Sequence, residues 1–260
     1  KIMRKHQAPP RNIDEFLAFM IDYSRNYVAS GGPTSRLEDG LAALGRKFGY
    51  AAEVFATPTG IFVSVIDPSG NPHTSICRVK DTGMNLSRLC WLEGLLEDLH
   101  EGKISTHAAD KILHSHHVQR PPYAHWQTAI AAFIAGFALS YPAYGKWFAA
   151  VASGVIGAAT WWTTGPGLFD RVSSSIFRDF IGCILTLALA AICQIFWPAP
   201  FDAYTIGGII ILVPGLALTT AISELADQNL ISGTSKLMQA FLTLLGLGLA
   251  YLLFSELSDS

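Results

Sequence analysis

Five long stretches without a charged residue fill most of the last 138 residues of this 260-residue chain. They are Trp126–Gly145, Trp147–Phe169, Phe180–Phe201, Ala203–Ser223 and Leu237–Ser255. Each holds about 20 mostly apolar residues, which is the length that a helix needs to cross the hydrocarbon of a bilayer. The sequence therefore predicts a helical membrane protein with five transmembrane helices.

Charge divides the chain near Pro122. Residues 1–122 contain 14 of the 18 Lys and Arg residues and 13 of the 20 Asp and Glu residues. About a hundred residues are enough to bury a workable core, so we expect a soluble domain over residues 1–122 and a membrane domain over residues 123–260. The formal net charge of −2 argues against nucleic acid as a partner.

Basic residues indicate how the chain crosses the membrane, since Lys and Arg in short loops favour the cytoplasmic side. Arg120 precedes the first stretch, Arg171 and Arg178 follow the second, and Lys236 precedes the fifth. Lys146, in the first outer turn, does not follow this pattern. The N-terminus is expected inside, and the acidic C-terminus outside.

The first half has the periodicity of a small α+β domain in the order ααβββαα. The predicted helices are Ile13–Ala29, Arg36–Phe48, Leu86–His100 and Ser105–His117, and the predicted strands are Ala51–Ala56, Ile61–Ile66 and Thr74–Val79. Asn12 or Asp14 is expected to cap the first helix, and Thr34 or Ser35 the second. A small antiparallel sheet covered by helices is the expected fold of this half.

Two groups of polar residues admit an enzymatic interpretation, in which the soluble half is a membrane-anchored enzyme. The His114–His117 cluster with Arg120 lacks the spacing of a zinc site and lies where positive charge would meet anionic lipid, so we predict a membrane anchor and no metal. Arg36, Glu38 and Asp39 are not accompanied by a nucleophile motif. The sequence implies no cofactor.

Pro214 lies in the middle of the fourth stretch and is followed by Gly215. A proline removes a backbone hydrogen bond, and broken helices in transporters expose backbone groups to a polar solute. Thr219 and Thr220 lie about one turn further along and carry hydroxyls that such a solute could use. The alternatives are a packed kink and hydroxyls bonded to carbonyls of their own helix.

Few other polar residues lie in or near these stretches. Asp179 and Glu224 are candidates for a substrate or proton path, because a charge stranded in a bilayer is costly and is kept for function. Gln194, a lone amide within the third stretch, is a further candidate. Asp202 and Glu224 could instead be loop carboxylates in contact with water. Three pairs of glycines are predicted to permit close helix contacts: Gly154 and Gly157, Gly207 and Gly208, Gly246 and Gly248.

Two segments resemble the threonine/serine exporter family. The first is GPTSRLEDGLAALGRKFG, with matching positions at Gly32, Thr34, Arg36 and Glu38. The second is LVPGLALTTAISELADQNLISG over Leu212–Gly233, which departs from the family pattern at Thr220 and Ser223–Glu224. The likeness extends over most of the chain.

The resemblance implies a secondary exporter and not an enzyme. The expected cargo is threonine and serine, driven by the proton gradient across a bacterial inner membrane. In this family a second membrane portion is either fused or supplied as a small multi-span subunit, so the resemblance also implies such a partner and a possible oligomer. A dicarboxylate such as succinate is the alternative cargo, and a sensor or assembly subunit is the alternative role.

Overall fold

The computed structural model describes residues 12–80, 83–115, 123–165 and 175–259. It is mostly helical with one small sheet, and its contacts divide it into two compact units. The first unit consists of the described residues of Lys1–Arg120 together with Leu216–Leu237. The second consists of the described residues of Pro121–Gly215 together with Met238–Ser260. The grouping of residues 216–237 with the N-terminal half is not anticipated by the sequence pattern.

The first unit has the predicted order of elements. Its helices and strands are α1 (Ile13–Ala29), α2 (Thr34–Lys47), β1 (Ala51–Thr57), β2 (Gly60–Ile66), β3 (Pro72–Arg78), α3 (Leu86–Glu101) and α4 (Thr106–Leu113). Asn12 caps α1 as predicted, because its Oδ1 accepts the N–H of Asp14 at 3.0 Å. Gly49 follows the end of α2 with φ of +81°, a backbone conformation that glycine adopts without strain.

The sheet is antiparallel in the order β1-β2-β3, with Phe55 opposite Phe62 and Phe62 opposite Ile76. Side chains alternate between the two faces of a strand. Ile61, Val63 and Val65 are fully buried on one face. That face joins a core built from α1, α2, α3 and α4, which includes Phe16, Met20, Leu41 and Leu92.

The second unit is helical. Its helices are α5 (His125–Tyr144), α6 (Trp147–Thr164), α7 (Ser175–Phe196) and α8 (Phe201–Leu212). Helices α9 (Gly215–Ala226) and α10 (Leu230–Asp259) come next in the chain, and each has residues in both units. Helix α7 begins and ends about five residues earlier than the stretch predicted at Phe180–Phe201.

Polar contacts join the helices of the second unit at small residues. Ser140 Oγ donates to the carbonyl of Ala203 at 2.7 Å, and the hydroxyls of Thr160 and Thr186 lie 2.8 Å apart. The N–H of Gly207 donates to Ser153 Oγ at 3.0 Å. Small residues allow helix backbones to approach closely in a membrane, where hydrogen bonds between helices add to the packing.

The glycine prediction is right for two of the three pairs. A Cβ at Gly154, Gly157, Gly207 or Gly208 would lie under 3.0 Å from atoms of a neighbouring helix. It is wrong for Gly248, where a Cβ would meet no described atom within 4 Å, and a Cβ at Gly246 would make only an ordinary contact. The sequence shows that a residue is small but not whether a neighbour lies against it.

Within the described residues, two helices are long and apolar enough to cross a membrane, over Ile176–Phe196 and Leu230–Glu256. The bent pair α8 and α9 passes the same test if it is counted as one broken span. Helices α5 and α6 lie on two of the predicted stretches, but they are not among these candidates. The structure thus contains two or three candidate spans, and the count of five stays a prediction.

Candidate functional site

The two sequence segments that carry the family resemblance meet within the first unit. The segment just before and at the start of α2 contacts the end of α9 and the first turns of α10, about 190 residues later in the chain. The contacts form around the carboxylate of Glu224. We call the group formed by Gly32, Thr34, Glu224, Asn229 and Lys236 the Glu224 cluster.

Glu224 is fully buried and paired with a nearly buried lysine. The exposed side-chain fraction is 0% for Glu224 and 14% for Lys236, whose Nζ donates to Glu224 Oε1. The same Nζ lies 3.3 Å from the carbonyl oxygen of Gly32. Glu224 Oε2 has no hydrogen-bond partner among the described residues. Burying a carboxylate with one unpartnered oxygen costs folding free energy, and the ion pair with Lys236 offsets part of that cost.

The Glu224 carboxylate also caps α2. The N–H of Thr34, the first residue of α2, donates to Glu224 Oε1 at 3.1 Å. Pro33 is the N-cap residue and makes no side-chain cap. The prediction that Thr34 or Ser35 caps this helix is wrong, because a distant carboxylate takes that role. A negative charge at a helix N-terminus interacts favourably with the helix dipole.

A tight turn places Glu224 and Lys236 on neighbouring helices. Gln228 adopts φ of +65°, and the N–H of Asn229 donates to the Glu224 carbonyl at 2.9 Å. Asn229 Nδ2 lies 3.5 Å from Thr34 Oγ1. A Cβ at Gly233 would lie 2.7 Å from Leu225 Cγ, so the close approach of α9 and α10 requires glycine there.

Arg36 and Glu38 do not form one constellation. Arg36 forms an ion pair with Glu93 of α3 at 3.5 Å. Glu38 Oε1 instead accepts the N–H of Ala56 in β1 at 2.7 Å. The two side chains therefore serve different contacts, and Asp39 is exposed. This separation gives no support to a shared catalytic role.

The contact between Glu38 and the N–H of Ala56 can be tested through the dependence of stability on pH. Burial raises the pKa of Glu38 above its usual value of 4.5, although the N–H of Ala56 acts in the opposite direction. A carboxyl whose pKa is raised by folding favours the folded state most at low pH. The stability that Glu38 contributes should therefore fall as the pH rises from 4.5 through the raised pKa, which adds a downward slope to the melting temperature of the wild-type chain.

The Glu38→Gln variant should lose this part of the pH dependence, since the amide oxygen can still accept from Ala56. Thermal melting between pH 4 and pH 7 measures the difference. Glu53→Gln, an exposed position on β1, is the matched control and should keep the wild-type slope. Equal slopes for both variants would contradict the assignment.

The predicted path residues on α9 form local contacts. Pro214 and Gly215 lie at the break between α8 and α9, and Gly215 is exposed. Thr219 Oγ1 donates to the Leu216 carbonyl at 3.0 Å, and Thr220 Oγ1 donates to the same carbonyl at 2.9 Å. Both hydroxyls thus adopt the back-bonded arrangement, and a solute would have to compete for them. Their role in a path stays a prediction.

Two other predicted polar residues, Asp179 and Gln194, lie on α7. Asp179 is half-buried near the start of α7. Gln194, near the end of that helix, is exposed, and its amide nitrogen Nε2 lies 3.4 Å from the Ala199 carbonyl oxygen. Both belong to the second unit, whereas Glu224 belongs to the first. Of the predicted path residues that the structure describes, Glu224 is the one that contacts the Gly32–Glu38 motif.

His114 pairs with two carboxylates. Its Nε2 lies 3.4 Å from Asp22 and its Nδ1 lies 3.5 Å from the Asp110 carboxylate. Its pKa is raised, chiefly by its hydrogen bond to the Asp110 backbone and then by these two carboxylates. His116, His117 and Arg120 lie outside the described residues. No group of metal-ligating side chains occurs in the part of the chain that the structure describes.

Sequence reasoning missed the partners that complete the site. Lys236 served only to orient the chain, although a lone lysine beside an apolar helix is a candidate partner for a buried acid. Asn229 and Glu93 carry no local signal, because their partners lie 195 and 66 residues away along the chain. A search for opposite charges beside the two motifs could have found Lys236.

One comparison with known proteins gives a match. The family model described as "Putative threonine/serine exporter" matches residues 18–257. No curated protein and no solved structure matches the chain. The matched region includes the whole Glu224 cluster and all the candidate membrane helices.

Proposed function

The chain belongs to the threonine/serine exporter family, and on that premise we propose that it exports small polar metabolites, threonine and serine first, using the proton gradient. We propose further that it acts in a bacterial inner membrane with its N-terminus in the cytoplasm, and that a small multi-span membrane subunit completes it. Succinate or a similar dicarboxylate is the alternative cargo. Family membership and the apolar helices support this role.

The observation that carries the proposal is the Glu224 cluster. A proton-coupled transporter needs a group that binds a proton in one state of the cycle and releases it in another, and buried carboxylates can serve that purpose. Glu224 is such a group, because a proton on its carboxylate would remove the charge that Lys236 neutralises. Loss of that pair would also weaken the cap on α2. Glu224 is therefore our candidate for the proton-coupling residue.

The break at Pro214 and Gly215 supports a path for the exported solute. Helix α9 runs from this break to the Glu224 cluster, so a change at Glu224 acts directly on the helix that begins there. The same helix carries Thr219 and Thr220, whose hydroxyls we propose as solute contacts once they leave the Leu216 carbonyl. Asp179 and Gln194 stay secondary candidates for the path.

Flux in vesicles tests the proposal. The chain is reconstituted together with its candidate small partner, the vesicles are loaded with labelled threonine or succinate, and a pH gradient and a potential are imposed. We expect threonine efflux well above that of empty vesicles. If neither solute leaves faster than from empty vesicles, the exporter role fails.

The Glu224→Gln variant tests the coupling. The amide can still accept from Thr34 but carries no titratable proton, so efflux should no longer respond to the imposed pH gradient. Glu256→Gln, an exposed position near the end of α10, is the matched control and should respond as the wild type does. A response of Glu224→Gln equal to that of the control would remove Glu224 from the coupling mechanism.

A further inference from the structure

A cavity of about 280 Å³ lies among α1, α2 and α3 in the first unit. Its polar lining consists of Tyr23, Tyr27, Arg36, Glu93, Glu97 and His100. Liquid water occupies roughly 30 Å³ per molecule, and drug-sized ligands occupy pockets of roughly 300–1,000 Å³. The cavity therefore has room for a small metabolite.

One wall of the cavity carries a guanidinium that is weakly engaged. The Arg36 side chain is 72% exposed, and its Nη1 lies 3.5 Å from Glu93 Oε1. Strong Arg–carboxylate hydrogen bonds are roughly 2.7–2.9 Å long and often paired. Arg36 thus keeps donors for a second carboxylate, and its planar fork fits that group well.

Helix α3 lines the cavity with acidic side chains, which offer acceptors. Glu93 Oε1 accepts the hydroxyl of Tyr27 at 3.2 Å, and Glu97 is exposed one turn further along α3. Burial, and then the nearby Glu93 charge, raises the pKa of Tyr27, so its phenol stays a donor at neutral pH. Two carboxylates against one guanidinium make this lining favourable to an ammonium group.

His100 adds an unpartnered acceptor. Its Nδ1 lies 3.3 Å from the Leu96 carbonyl, which fits the tautomer with the proton on Nδ1. Its Nε2 is buried and has no hydrogen-bond partner among the described residues. A buried nitrogen without a partner is costly, so a ligand hydroxyl or ammonium that donates to it would stabilise the site.

We propose that this cavity binds a small zwitterion of the α-amino acid class, with the carboxylate on Arg36 and the ammonium between Glu93 and Glu97. A dicarboxylate is disfavoured, since its second charge would face these two carboxylates. On the proposed exporter function, the cavity is a regulatory site at which the cytoplasmic unit senses the amino acid.

The cavity is linked to the Glu224 cluster through the start of α2. A Cβ at Gly32 would lie 2.8 Å from Leu89 Cδ1 and closer still to the ring of Tyr27, so this backbone rests against the cavity wall. The carbonyl oxygen of Gly32 accepts from Lys236 Nζ. Arg36 lies two residues after Thr34, whose N–H donates to Glu224. A ligand that draws Arg36 inward therefore acts on the segment that holds Glu224.

Calorimetric titration of the full chain in detergent tests the site with L-threonine, L-threoninamide and succinate. Threoninamide keeps the ammonium and the hydroxyl but lacks the carboxylate. We expect the wild type to prefer threonine over the amide by about tenfold, the effect of one charge-assisted hydrogen bond, and to bind succinate more weakly than threonine. Arg36→Gln should weaken threonine binding by about the same factor and abolish the preference over the amide.

Arg78→Gln, an exposed position on β3, is the matched control and should bind as the wild type does. A threonine-to-amide preference that survives Arg36→Gln would overturn the inference, as would succinate binding as tight as that of threonine. Absence of threonine binding by the wild type overturns the cavity site even if vesicles export threonine. Binding that follows the expected pattern, in a chain that gives no efflux, supports the site and removes the exporter role.

Discussion

The Lys236→Met variant is expected to lose about 3–5 kcal/mol of unfolding free energy, the cost of leaving a buried charge without its partner. Glu224 is fully buried, and its Oε2 already has no partner in the described structure. Without Lys236, the carboxylate keeps only the N–H of Thr34 among the contacts of Oε1. Denaturation of the detergent-solubilised chain, followed by circular dichroism, measures the loss.

A double variant separates the charge from the packing. Glu224→Gln with Lys236→Met removes both charges and keeps an acceptor for Thr34, so it should recover much of the stability that Lys236→Met loses. Lys111→Met, an exposed position on α4, is the matched control and should change the unfolding free energy little. If Lys236→Met unfolds like this control, the ion pair does not stabilise the unit.

The Gly207→Ala variant should destabilise the second unit by about 3 kcal/mol, at the upper end of the usual cost of overpacking. A Cβ at Gly207 would lie 2.6 Å from Ser153 Oγ and closer still to the Ser153 carbonyl oxygen. Because this oxygen belongs to the backbone of α6, it cannot move aside without shifting the helix. The N–H of Gly207 would also lose its bond to Ser153 Oγ.

Gly248→Ala is the control for this prediction, and its expected sign is opposite. A Cβ there meets no described atom within 4 Å, and alanine is favoured over glycine within a helix by about 1 kcal/mol. Titration with a denaturing detergent compares the two variants with the wild type. Equal losses at both positions would show that helix packing at Gly207 is not the cause.

Local pattern predicts much of the first unit. The bounds of α1 follow from its apolar spacing and from Asn12, and the three strands lie within two residues of their predicted ends. These features depend on residues close together in sequence, where propensity and turn chemistry act directly. The burial of Ile61, Val63 and Val65 on one sheet face follows from the same alternation.

The contacts of the Glu224 cluster are not predictable in this way. Thr34 looks like a cap from its neighbours alone, yet the group that caps α2 is Glu224, 190 residues later. Glu224 and the Gly32–Glu38 motif were each singled out, but nothing in a single sequence indicates that they touch. Thr219 and Thr220 show a different difficulty. Their residue types suit a solute contact, but in the structure both hydroxyls donate to the Leu216 carbonyl of their own helix.

The distant cap on α2 has a consequence for biosynthesis. A ribosome adds roughly 5–20 residues per second, so Glu224 emerges about 10 to 40 seconds after Thr34. During that interval the nascent N-terminal half lacks the carboxylate that closes its second helix and the lysine that binds Gly32. The contacts that complete the start of α2 therefore form only after residues 224–236 have been synthesised.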